Sequence, residues 1–160
     1  MNLVLDVQGF KIEHNKFIVK ELAGYDGQQI CHYVFKPPFA LDLLPPDLQT
    51  QATWLKQNHH CINWNSGFTP LHTFPKIMDD LTKHADRIFV KGVEKANYLR
   101  RFFRKPVIEL DEQPRLEPAS TACFYHSKPI TMCALSNVFY LYSQRQTKWR
   151  ARHHDKNSPT

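Results

Sequence analysis

No apolar run in this 160-residue sequence approaches the roughly 18 residues that a membrane-spanning helix needs. The opening segment MNLVLDVQGF has no basic region of the kind that begins a secretory signal peptide, and it contains Asp6. Neither an internal repeat nor a low-complexity segment is visible. We therefore expect a soluble, intracellular protein of the cytoplasm or nucleus, without a membrane partner.

The acidic side chains are outnumbered by basic ones, and cysteine and histidine are both present in sufficient number for a metal site. The four cysteines are more typical of free thiols or metal ligands than of disulfides in an intracellular chain. Nine histidines are many for this length and make metal binding a hypothesis to test. With 21 Lys and Arg against 15 Asp and Glu, the net charge of +6 favours a polyanionic partner. Hydrophobic residues at 42% and charged residues at 22% indicate one globular domain.

The hydrophobic pattern predicts three strands in succession, then helices, then two strand–helix units. Residues 3–7 are apolar on both faces, which is typical of a central strand. Asp26 and Gly27 form a hairpin signal between the second and third strands. This order predicts an α/β domain over residues 1–145, with a mixed five-stranded sheet flanked by helices. The basic segment 146–160 is expected to be a disordered tail.

This element order is that of the ribonuclease H-like fold, and three segments resemble the DEDD-type exonucleases of that superfamily. One of them, IFVKGVEKANYL, offers Glu94 where those enzymes normally supply a further aspartate. Those enzymes begin with Asp-x-Glu on the first strand, whereas LVLDVQGF supplies Asp6 and then Gln8. At the final helix, CALSNVFYL offers Cys133 and Asn137 where acid–base residues would be expected. A two-metal site needs several carboxylates, so the resemblance implies the scaffold without its metal-dependent hydrolysis.

The stretch CFYHSKPITMCALSNVFYL, residues 123–141, carries metal-ligating residue types. Cys123 and His126 have the spacing of a zinc half-site, and Cys133 is a plausible second arm. This pattern resembles the Maelstrom domain of the animal piRNA pathway, a degenerate DEDD-like domain with a Glu-Cys-His-Cys zinc set. The pattern VLDVQGF…FVKG-EK…CALSNV also resembles uncharacterised proteins of insects, of their viruses and of mobile elements, and this chain could be one of those. The likeness covers most of residues 1–145 in element order, and it is strongest over 123–142.

The resemblance implies a zinc ion held by Cys123, His126, Cys133 and a glutamate. We assign Glu94 to that role, because a residue that begins the helix after the fourth strand can face the last helix. The role could instead fall to Glu109, Glu112 or His60. Without zinc, Cys133 would be an ordinary core residue of the last helix.

The segment KGVEKANYLRRFFRK interleaves basic and aromatic side chains, an arrangement that contacts phosphates and stacks on bases. The candidate nucleic-acid-binding residues are Lys91, Lys95, Arg100, Arg101, Arg104 and Lys105. The competing interpretation is an ordinary solvated helix face with its aromatic rings toward the sheet. The resemblance implies binding of RNA, another nucleic acid or protein partners in RNA silencing or processing.

Two further functions stay open. By resemblance, the domain would be a metal-independent nuclease for single-stranded RNA. Asp6, His59 and His60 are the candidate catalytic residues, with no decisive motif among them. In the second case, the domain is a structural module for protein interaction. The exchanged carboxylates favour a protein without enzymatic activity.

Overall fold

The computed structural model describes residues 1–13, 16–110, 116, 125–128 and 131–156, the last eleven of these by their backbone only. This part of the chain contains five strands and four α-helices, besides two short 3-10 helices. The strands are β1 (Asn2–Glu13), β2 (Lys16–Tyr25), β3 (Ile30–Val34), β4 (Arg87–Val90) and β5 (Val107–Glu109). The helices are α1 (Pro46–Asn58), α2 (Phe74–Lys83), α3 (Val93–Arg100) and α4 (Ala134–Lys156).

The strands form one mixed sheet in the order β3-β2-β1-β4-β5. β1 and β2 pair antiparallel, as do β2 and β3, whereas β4 lies parallel to both β1 and β5. The connection from β4 to β5 runs through α3, because parallel neighbours need a crossover rather than a tight turn. The expected α/β architecture, with a five-stranded mixed sheet flanked by helices, is therefore confirmed.

Helices cover both faces of the central strand β1. Leu3 and Leu5 lie in a core cluster with residues of α2 and α3. Val4 points to the opposite face and packs with Val138 and Leu141 of α4. Each fully buried aliphatic side chain contributes about 2 kcal/mol by leaving water. This two-sided burial explains the continuous apolar run at the start of the sequence.

The turn between β2 and β3 forms where the Asp-Gly pair predicts it. Gly27 has φ of +95°, a conformation that side chains with a Cβ rarely adopt. Oδ1 of Asp26 accepts hydrogen bonds from the backbone N–H groups of Gln28 and Gln29, at 2.8 and 2.7 Å. This Asx turn sets the register of the β2–β3 hairpin.

A β-bulge interrupts the pairing of β1 with β2. Gln8 pairs with Glu21, but Gly9 pairs with Val19, so Lys20 is the extra residue. The Lys20 side chain is buried. Its ammonium donates hydrogen bonds to the carbonyl oxygens of Phe35, Trp64 and Ser66. The bulged lysine thus ties the loop after α1 to the sheet.

Helix α4 continues to Lys156 and extends into the segment that the sequence predicts to be a disordered tail. The sequence contains neither glycine nor proline from Ala134 to Lys156, so no strong helix breaker ends α4 earlier. In the described part of the chain, no helix combines the length and apolar character needed to span a membrane.

Candidate metal centre and basic cleft

Three side chains meet at the start of α4: Glu21 from β2, and His126 and Cys133 from the segment just before the helix. Their ligand atoms all lie within 4.8 Å of one another. Oε2 of Glu21 is 3.2 Å from Nε2 of His126 and 4.0 Å from Sγ of Cys133. A tetrahedral zinc ion with bonds of about 2.0–2.3 Å keeps its ligand atoms about 3.3–3.8 Å apart. The group could therefore hold a metal ion.

The start of α4 fixes two of the three side chains. Cys133 directly precedes the helix, and its carbonyl oxygen accepts the hydrogen bond from the Asn137 N–H at 3.0 Å. The N–H of Ala134 donates to Oε1 of Glu21 at 2.8 Å. A helix N-terminus favours negative charge, so this contact stabilises a carboxylate with no exposed surface. The second oxygen, Oε2, stays directed at His126 and Cys133.

His126 is oriented by a backbone group. Its Nδ1–H donates to the carbonyl oxygen of His60, and residue 126 bridges to Ile62. Nε2 is thereby turned toward Glu21, an arrangement typical of metal-ligating histidines. Burial alone would lower the pKa of His126, but hydrogen bonds with Cys133 and Glu21 raise it to about 10.

Glu21 also contacts a second imidazole. Nε2 of His32, on β3, lies 2.8 Å from Oε2 of Glu21. Burial alone would raise the pKa of Glu21, but hydrogen bonds from His126 and His32 lower it to about 2. The carboxylate is therefore negative, and the neighbouring imidazoles balance its charge.

The structure brings together only part of the zinc set that the sequence suggests. His126 and Cys133 lie in the group, whereas Cys123 lies outside the described residues. Glu94 is exposed in the first turn of α3 and is not a member of the group formed by the described residues. The glutamate at this place is Glu21 of β2, since β2 rather than α3 runs beside the start of α4.

Of the three alternatives to Glu94 as a ligand, Glu109 and His60 are among the described residues, and neither is a member of the group. Glu109 ends β5, and Glu112 lies outside the described residues. His60 contributes its backbone carbonyl, which holds His126. Cys31 and Cys61 are free cysteines and are not in the group.

The sequence pattern did not single out Glu21, although a signal was present. The β2 segment KFIVKELAGY begins with the exposed Lys16 and places two further charged residues, Lys20 and Glu21, in its buried part. A charge buried in a sheet needs a partner or a metal, so both positions required one. Lys20 contacts three carbonyl groups, and Glu21 contacts two histidines and a helix N-terminus.

Asp6 is fully buried and satisfied by neighbouring side chains. Lys95 Nζ lies 2.7 Å from Oδ1, and Nδ2 of Asn137 donates to Oδ2 at 2.8 Å. Nε2 of Gln8 is 3.5 Å from the same Oδ2. One carboxylate with an ammonium and two amides is a poor ligand set for Mg²⁺, which prefers anionic oxygens.

The two histidines after α1 have different surroundings. His60 is fully buried: Nε2–H donates to the Gly9 carbonyl at 3.1 Å, and Nδ1 accepts from the Ile62 N–H at 3.1 Å. Burial lowers the pKa of His60 to about 4, so the ring is neutral and structural. His59 lines a cleft, and burial and the charge of Lys95 lower its pKa.

The cleft lies between the β1–β2 hairpin and α3 and has a volume of about 460 Å³. We call it the basic cleft, because four cationic side chains line it: Lys11, Lys16, Lys95 and Arg101. The acidic side chain that lines it is Glu94. Two of these cations, Lys95 and Arg101, are among the six basic residues that the sequence singles out.

The remaining basic residues of that segment lie outside the basic cleft, and three of them are anchored on the fold. Lys91 donates to the Leu110 carbonyl at 3.0 Å, and Arg100 donates to the Val107 carbonyl at 3.0 Å. Lys105 donates to the carbonyl of Ala85. The hydrogen bonds of these three residues therefore stabilise the ends of β4 and β5, whereas Arg104 is exposed.

Comparison of the chain with known protein families, with curated proteins and with solved structures gave no match. The features that bear on function are therefore the group that could hold a metal ion and the basic cleft.

Proposed function

We propose that this protein is a catalytically degenerate domain of ribonuclease H-like fold that is closed by one zinc ion and binds RNA. The observation that carries the proposal is the group formed by Glu21, His126 and Cys133, whose ligand atoms lie within 4.8 Å of one another. Thiolate and imidazole ligands favour zinc over magnesium. The sheet has three antiparallel strands, β1 to β3, and continues from β1 with the parallel strands β4 and β5. This arrangement agrees with the element order on which the resemblance rests.

The zinc would act as a structural staple. Its ligands belong to β2, to the segment after β5 and to the start of α4, so one ion would join parts of the chain that are far apart in sequence. A site absent from the unfolded chain contributes its binding free energy to folding. Cys123 is the fourth ligand in this proposal because its Cys-x-x-His spacing to His126 lets both ligands reach one ion.

The surroundings of Asp6 support the loss of metal-dependent hydrolysis. Two divalent cations need several carboxylates, but Asp6 is already balanced by Lys95 and bonded to Asn137. A protein that has lost this chemistry but keeps a basic cleft is suited to hold a polyanion. RNA is the polyanion that we propose, with protein partners in RNA silencing or processing as a further part of the same role.

Metal analysis of the purified protein tests the staple. We expect about one zinc per chain in the wild-type protein and almost none in Cys133→Ser, with a lower unfolding temperature. A folded wild-type protein without zinc, and a Cys133→Ser variant of unchanged stability, would refute the staple. Binding of labelled single-stranded RNA at increasing salt tests the second part: affinity should fall steeply. The RNA-binding part fails if no binding occurs at low salt.

One observation favours a second function, metal-independent cleavage of single-stranded RNA. His59 lines the basic cleft, and its pKa is lowered, so a neutral imidazole is available there as a general base. Incubation of labelled RNA with excess EDTA tests this function. Cleavage by the wild-type protein that His59→Gln abolishes would establish it, whereas intact RNA would exclude it.

A further inference from the structure

The basic cleft has the charge distribution of a phosphate-binding site. Lys11 and Arg101 are exposed and form no ion pair within the described residues. Lys16 lies 3.4 Å from Glu13, but both side chains are about two-thirds exposed, so water screens this pair. Lys95 offsets the buried Asp6. Glu94 is the acidic side chain among the lining residues. The electrostatic potential inside the concave surface is therefore set mainly by the cationic side chains.

The cations come from both walls of the basic cleft. Lys11 and Lys16 lie on the two strands of the β1–β2 hairpin, and Arg101 directly follows α3. A chain of phosphates that runs between hairpin and helix would thus meet a cation on each side. The volume of about 460 Å³ is that of a small-molecule site, which accommodates a nucleotide but not a duplex.

Aromatic rings form part of the same wall. Phe17 and Tyr98 line the basic cleft, and their ring centroids lie 5.0 Å apart in an edge-to-face arrangement. Both are half-buried. Beyond them lies an apolar groove of about 770 Å³ that these two residues share with the cleft. Bases stack on aromatic side chains, so a base has an apolar surface directly beside the cations.

We propose that the basic cleft binds single-stranded RNA. Lys11, Lys16 and Arg101 contact its phosphates, and one base packs against Phe17 and Tyr98. The inference rests on the proposed RNA-binding function and assigns it a site. It also divides the basic residues of the segment 91–105: Arg101 belongs to the site, whereas Lys91, Arg100 and Lys105 are bonded to backbone carbonyls.

Fluorescence anisotropy with a labelled oligouridylate tests the site. The cleft variant is Lys11→Gln with Arg101→Gln, and the control is Lys76→Gln with Arg87→Gln. Both variants remove one exposed lysine and one exposed arginine, so their net charges are equal. We expect the cleft variant to lose at least about tenfold in affinity and to reduce the salt slope by roughly 1.4, whereas the control changes neither.

Equal losses in the two variants would overturn the assignment to the basic cleft while leaving RNA binding itself intact. No binding by the wild-type protein would instead refute the proposed function. Thermal unfolding tests whether both variants are folded. We expect that they are, because all four substituted residues are exposed. Phe17→Leu provides a second readout, because it should weaken RNA binding but leave the affinity for inorganic polyphosphate unchanged. Polyphosphate or an RNA duplex that competes as well as single-stranded RNA would refute the role of the aromatic wall.

Discussion

The ammonium nitrogen of Lys95 lies 2.7 Å from Oδ1 of Asp6 and joins the first turns of α3 to the central strand β1. The Asp6 side chain has no exposed surface, and that of Lys95 is 28% exposed. The buried negative charge is thus balanced by a neighbouring cation from the same chain. Because Lys95 also lines the basic cleft, the stability of this pair bears on both the fold and the proposed RNA site.

Replacing Lys95 by methionine should destabilise the fold by about 3 kcal/mol, because removing one partner leaves a buried charge uncompensated. The double variant Lys95→Met with Asp6→Asn should recover much of this loss, since the asparagine carries no charge. Urea unfolding of the wild type, both single variants and the double variant completes the cycle. A coupling free energy near zero would show that the pair does not stabilise the fold.

The sheet could be predicted because its signals are local. The two-sided apolar run of residues 3–7 and the turn at Asp26 and Gly27 are each contained in a few neighbouring residues. Helix α4 runs to Lys156, into a segment whose basic composition predicts disorder, and the sequence from Ala134 to Lys156 contains no strong helix breaker.

The candidate metal centre could be predicted only in part, because its residues are not all close together in sequence. Cys133 and His126 stand close together in sequence, so their spacing is informative. Glu21 lies more than a hundred residues earlier, and its position beside Cys133 depends on how α4 packs against β2. The sequence signal for Glu21 is a charged residue within an apolar strand. This signal does not identify the residues that Glu21 contacts.

Glu21→Gln should abolish zinc binding, whereas Glu94→Gln should leave the zinc content at about one per chain. Both substitutions remove one carboxylate and change the net charge equally. Of these two residues, only Glu21 lies within 4.8 Å of the ligand atoms of His126 and Cys133. Elemental analysis after gel filtration provides the measurement. Loss of zinc from Glu94→Gln alone would instead restore the assignment made from the sequence.

The fourth ligand can be identified by a second pair of variants. Cys123→Ser should lose zinc as Cys133→Ser does, because a closed structural site needs four ligands. His32→Gln should keep the ion, since His32 contacts Glu21 from outside the three-residue group; we expect its zinc affinity to fall by about tenfold. Competition with a chromogenic chelator measures both affinities. A complete loss of zinc in His32→Gln, with Cys123→Ser unaffected, would make His32 the fourth ligand.

Lys20→Met should destabilise the protein by about 3 kcal/mol. The lysine donates to the carbonyl oxygens of Phe35, Trp64 and Ser66, and methionine leaves these buried acceptors without that donor. Lys56→Met is the control, because Lys56 is exposed on α1 and its replacement should change stability by less than about 0.5 kcal/mol. Equal unfolding free energies for the two variants would show that the bulged lysine does not anchor the loop.

Glycine is required at position 9 for space rather than for its backbone angle. A Cβ there would lie closer than any van der Waals contact allows to the Ile18 carbonyl oxygen and to the Phe17 ring. Relief would require movement of β2, so we expect Gly9→Ala to cost about 3 kcal/mol. At Gly92 the backbone has φ of +103° and ψ of +132°, a combination that residues with a Cβ rarely adopt, and an added Cβ would meet no atom within 4 Å beyond its chain neighbours. Gly92→Ala should therefore cost about 2 kcal/mol, all of it backbone strain.

Urea unfolding of Gly9→Ala and Gly92→Ala compares these two costs directly. The Gly9 substitution should also weaken RNA binding in the folded variant, because it displaces Phe17 from the wall of the basic cleft. Gly92→Ala should leave RNA affinity within about twofold of the wild type, since Gly92 does not line the cleft. If both variants bind RNA equally well although Gly9→Ala is the less stable, Phe17 contributes to the packing of the hairpin and not to the recognition of a base.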